Sequence, residues 1–169
     1  MLNCGLGTVF LLILAVASLI KGREVFLMMN ALFAGSEDFV PVLAALCLCL
    51  LAGSNDITAP SVSLEGKSLW IAQSLPIDPW QALRAKLRLH LLITEPSLVL
   101  CAVCVAAVSG LDFLHAALVV VVPMVYVVLS AAFGLFIGLK RPNLTWTSEV
   151  APIKQGLAVF LSMFGGWVL

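Results

Sequence analysis

Phe113-Leu-His-Ala-Ala-Leu-Val-Val-Val-Val-Pro-Met-Val-Tyr-Val-Val-Leu-Ser-Ala-Ala-Phe-Gly-Leu-Phe-Ile-Gly-Leu139 runs for 27 residues without an Asp, Glu, Lys or Arg. As a helix it is about 40 Å long, against about 30 Å for the hydrocarbon layer of a bilayer. It therefore predicts a membrane span that tilts or projects beyond the lipid. Pro123 predicts a kink near its middle.

The rest of the chain follows the same pattern. Its 169 residues are 62% hydrophobic and 11% charged, and the mean hydropathy is +1.14. A soluble domain is about 45–50% apolar and about 25% charged, so a membrane is the expected home. Four more apolar stretches accompany the first, and the expected spans lie at about 2–20, 39–57, 89–108, 113–139 and 156–169. The second is short, and the fifth ends at the last residue. Val25 to Ala34 is apolar but too short to cross; it either lies at the surface or extends the first helix. The N-terminal stretch lacks a basic region before its apolar run, so it reads as a span rather than a signal peptide. No internal repeat or linker divides the chain. The expected fold is all-α: one polytopic membrane domain of about five transmembrane helices.

Charge sets the orientation. The segment from Ser54 to His90 holds Lys67, Arg84, Lys86 and Arg88, and that from Lys140 to Gln155 holds Lys140, Arg141 and Lys154. The positive-inside rule places both in the cytoplasm, with the N-terminus inside. Lys21 and Arg23 then fall outside, against the rule. Zero net charge gives no case for nucleic acid as a partner.

Between the second and third spans lies the one long polar interruption, 61–87. Pro60 and Pro76 bracket a run, Ser63 to Ser74, that can form an amphipathic helix on the membrane surface with Trp70 at the interface. A second helix start follows. Asp78 is a suitable N-cap, Pro79 suits the first helical position, and Gln81 stands three residues after the cap. Trp80, Leu83, Leu87 and Leu91 then recur on one side, and Arg84 and Arg88 on another.

Ser63-Leu-Glu65-Gly66-Lys67-Ser-Leu-Trp70-Ile-Ala-Gln-Ser74-Leu75-Pro76-Ile77, followed by Lys86, resembles a stretch in permease subunits of bacterial ABC-2-type ABC exporters. In that family a serine and Glu-Gly-Lys precede an aromatic residue, a Ser-Leu-Pro turn follows, and a lysine stands at the foot of the next span. Pro142-Asn143-Leu-Thr145-Trp146-Thr-Ser-Glu149, with Ile153-Lys154-Gln155-Gly156, is similar to a cytoplasmic link in the same permeases. The resemblance implies a plasma-membrane permease that works with a separate ABC-type ATPase, and with a second permease half or a second copy. ATP would bind the partner, leaving this chain without a cofactor. Family members place a coupling element between the second and third spans of a six-span half. Glu65, Gly66, Lys67, Trp70, Leu75 and Pro76 are then the expected contacts with the ATPase. The family's permeases are longer, so the resemblance makes this chain a fragment, a truncated product or a divergent half of one.

Other motifs carry less. Gly66-Lys67-Ser68 lacks the upstream glycine and setting of a phosphate-binding loop. Cys101-Ala-Val-Cys104 sits among apolar residues where a thiolate is poorly solvated, so these cysteines read as packing residues. Glu95 is an intramembrane carboxylate, either lining a path or paired with Arg88 or His90 near the interface. Gly134 and Gly138 form a Gly-x-x-x-Gly pattern that permits close helix packing. No nucleophile–base set is evident, so no enzyme is expected. The alternative to a permease is a non-transport membrane protein, an assembly or anchoring factor whose polar segment meets only lipid headgroups.

Overall fold

The structure, a computed structural model, describes residues 5–32, 39–65, 74, 78–140, 142 and 157–168. Those residues form helices and their connections: α1 (Leu6–Leu32), α2 (Phe39–Gly53), α3 (Thr58–Leu64), α4 (Pro79–Ser109), α5 (Phe113–Lys140) and α6 (Leu157–Val168). Among the described residues, three segments are long and apolar enough to cross a membrane: Phe39–Leu64, Pro79–Ser109 and Phe113–Lys140. The described residues are all-helical, and the three apolar segments suggest a membrane protein. The second span differs from its expected bounds of 39–57, because α3 continues it to Leu64. Ser63 and Leu64, expected to begin a membrane-surface helix, belong to its last turn. Pro60 does not bracket a new helix; it is buried in the first turn of α3. There its missing N–H is one that has no intrahelical acceptor in any case.

Each long helix buries one narrow face. In α5 the buried residues are Val119, Pro123, Val127, Ala131, Gly134 and Gly138, at three- and four-residue steps that keep them on one stripe. In α1 they are Gly7, Leu11, Ala15 and Ser18, and in α4 His90, Thr94, Leu98, Cys101 and Ala102. Most of the remaining surface of these helices is apolar and exposed, as at Ile20, Leu92 and Phe113. That is the pattern of helices whose outer solvent is lipid tails. α5 is the central helix, packed against α2, α3, α4 and α6, while α1 lies along α4 and α2. The common core is built around Leu11, Leu48, Leu98, Val119 and Val127.

Local grammar explains the helix ends. The Asp78 side chain accepts from Trp80 N at 3.2 Å, with proline in the first turn. Asp78→Ala is expected to cost about 1 kcal/mol, measurable as a lower unfolding midpoint in detergent. From there α4 runs unbroken through Pro96 to Gly110, whose φ of 62° closes it in the left-handed conformation glycine favours. Val25 to Leu32 extend α1 rather than forming a separate surface segment.

Candidate functional site

The polar interruption meets the bundle through an ion pair. Glu65 caps the end of α3, and Lys86, in the second turn of α4, donates from Nζ to its Oε2 at 2.7 Å. Lys86 Nζ also reaches the Ser61 carbonyl at 3.5 Å. The Lys86 side chain is 15% exposed and that of Glu65 is 45% exposed. The ammonium is therefore turned into the bundle, while the carboxylate stands at its edge. The pair clasps the end of the second span to the foot of the third. Of the other expected contacts, Gly66, Lys67, Trp70, Leu75 and Pro76 lie outside the described residues, as does the second motif from Asn143 to Gly156.

Glu95 does not form the pair expected with Arg88 or His90. Its Oε2 is buried and has no hydrogen-bond partner among the described residues. Helical geometry gives the reason. His90 lies five residues back, about 140° around the axis, and Arg88 seven residues back, about 10 Å along it. Glu95 instead lines a shallow groove with Val99, Val103 and Met124, between α4 and α5.

A second polar feature went unnoticed in the sequence. Between α2 and α3 the backbone leaves the helix at Ser54–Ile57. Sixteen residues of rise from Phe39 put Asn55 about 24 Å along the axis, inside a hydrocarbon layer of about 30 Å. The break serves much of its own hydrogen bonding. Ser54 Oγ donates to Leu51 O at 2.6 Å. Asn55 Oδ1 accepts from Thr8 N of α1 at 3.3 Å. Asp56 Oδ1 accepts from Ala59 N at 3.1 Å and from Thr58 Oγ1 at 3.4 Å. Asp56 is thus a second carboxylate inside a span, overlooked because Gly53-Ser-Asn-Asp reads as a loop after a short helix. A usable signal was present: Asp56 stands two residues before a first turn that contains a proline, a position from which its carboxylate can accept from the first turn's N–H groups.

Close helix approach surrounds this break. A Cβ on Gly134 would stand 2.5 Å from Thr58 Oγ1, 2.8 Å from Ser162 Oγ and 3.2 Å from Asp56 Oδ1. A Cβ on Gly138 would stand 2.6 Å from Ala59 O. The Gly-x-x-x-Gly face of α5 is therefore occupied by α3 and α6 of the same chain. At the opposite end of the bundle from the clasp, α1, α2 and α4 form an open apolar pocket of about 280 Å³, with Leu14, Gly22, Leu43, Leu48 and Val108 in its lining.

No family model, curated protein or solved structure matches this chain.

Proposed function

We propose that this chain is the membrane-spanning permease part of an ATP-binding-cassette exporter in a bacterial plasma membrane, coupled to a separate ATPase. The Glu65–Lys86 pair is the observation that carries the reading. These are two charged positions of the motif on which the family resemblance rests, and they stand 21 residues apart. A loop that met only lipid headgroups would be served by a lysine left facing them. Here Lys86 is turned inward and holds two spans together. A push on the intervening residues would then reach α3 and α4 as one body. In this reading α1 and the α6 region are further spans, giving five, with the N-terminus and the clasp on the cytoplasmic side. A second permease half or a second copy completes the transporter.

Lys67 and Trp70 are the proposed contacts with the ATPase. Lys67→Ala combined with Trp70→Ala is expected to weaken capture of the proposed partner ABC ATPase by about tenfold. Co-purification of both subunits in detergent measures it, and full capture by the double variant would count against these contacts.

A further inference from the structure

Glu95 stands about 10 Å along α4 from Arg88 and about 21 Å from the helix end at Ser109. That places it within the hydrocarbon layer rather than at its edge. A charge at such a depth is costly unless it meets a partner. Among the described residues Glu95 has none: Oε2 is packed away without a hydrogen bond, and the ion pair they contain joins Lys86 to Glu65.

The groove beside it is apolar and faces outward. Glu95, Val99 and Val103 form one row of α4 at four-residue steps, and Pro96, Leu100 and Cys104 form the next. Met124 of α5 makes the other wall. Leu100 and Val103 are exposed, so the groove opens towards lipid tails. Its volume of about 640 Å³ lies within the range of about 300–1,000 Å³ that holds small molecules. Apart from Glu95, the lining side chains carry no charge, no N–H and no O–H. Pro96 adds a further acceptor at the same turn. It lacks an N–H, so the Leu92 carbonyl loses its usual helical donor.

We propose that this groove binds a lipophilic monovalent cation taken from the lipid phase, such as a quaternary phosphonium ion or a protonated hydrophobic amine. Its charge meets the Glu95 carboxylate, and its apolar groups lie along Val99, Val103 and Met124. Charge complementarity selects this occupant: acceptors without donors, set in apolar walls, suit a cation that is itself apolar. A hard metal ion fits poorly, since calcium takes about six to eight oxygen ligands and Glu95 supplies the groove's single carboxylate. A shallow groove is enough for an apolar ion, because its other sides rest against lipid tails. The site belongs to this chain alone and stands without a partner ATPase. On the permease reading it is where such a cation would leave the bilayer.

Equilibrium dialysis of tritiated tetraphenylphosphonium against the purified full chain in detergent micelles tests the site. Saturable uptake is expected. Glu95→Gln keeps the size of the side chain and removes its charge, and it is expected to weaken binding at least about tenfold. Val103→Trp fills the groove from an exposed position, so it should weaken binding by a similar factor and leave the unfolding midpoint unchanged. Triphenylphosphine oxide, neutral and of similar shape, should fail to compete. Equal affinity of Glu95→Gln and the unaltered chain would overturn the site, as would full competition by the neutral oxide. A chain that runs as a dimer and takes up no phosphonium would also overturn it, giving the groove to a second copy.

Discussion

A Gly138→Leu variant is expected to lose about 3 kcal/mol of stability, read as a lowered unfolding midpoint in detergent micelles. Even the first carbon of a side chain there would lie 2.6 Å from Ala59 O and 3.3 Å from Ala59 Cα. Those are backbone atoms, so no rotamer change relieves the clash. α3 is also held at both ends, by Asp56 on Ala59 N and by Glu65 on Lys86, and cannot slide away cheaply. Helix propensity acts in the opposite direction, favouring a leucine over glycine by somewhat under about 1 kcal/mol. Packing is expected to win. Gly134→Ala provides the contrast. The atoms that crowd Gly134 are the Thr58 and Ser162 hydroxyls and a carboxylate oxygen, all of them on side chains that can turn. Its cost is expected to stay near about 1 kcal/mol. Equal midpoints for Gly138→Leu and the unaltered protein would sink the argument.

On the proposed permease reading, Lys86→Met is expected to lower substrate-stimulated ATP hydrolysis by a partner ATPase about tenfold, within the usual range of coupling between distant sites. Methionine retains most of the apolar stem and removes the charge. Glu65 then loses its partner, and the end of α3 is no longer tied to α4. An exposed ion pair contributes about 0–1 kcal/mol. Lys86 is mostly out of solvent, so losing Glu65 is expected to cost more than that, whereas the half-exposed Glu65 left by Lys86→Met stays solvated. Lys86→Glu should be worse than Lys86→Met, because it sets two carboxylates face to face. The exchanged pair, Glu65→Lys with Lys86→Glu, should recover part of both stability and coupling. ATPase assays and unfolding midpoints across these variants form a double-mutant cycle. An exchanged pair no better than the sum of its single changes would remove the clasp from the mechanism.

Much of this was open to reading in the chain itself. The charge-free run from Phe113 to Leu139 reads as a span, and α5 occupies it from Phe113 to Lys140. Asp78-Pro79 reads as a helix start, and α4 starts there. Both rest on local physics: the length of apolar chain needed to cross lipid, and the orphan N–H groups of a first helical turn. Local reading also misled at Pro60, where a residue that breaks helix interiors sits in a first turn that needs no N–H. Other features joined residues far apart in sequence. Asn55 meets Thr8 across 47 positions, and Lys86 meets Glu65 across 21. Glu95 stays without Arg88 or His90 because of its place around and along a helix. Hydropathy and capping are properties of a few neighbouring residues, so the sequence by itself determined that apolar spans are present and where several of their ends fall. Which faces met, where the second span broke, and which charges paired depended on how close two helices approached. That distance was set by glycines and alanines on both sides, and only the tertiary structure decided it.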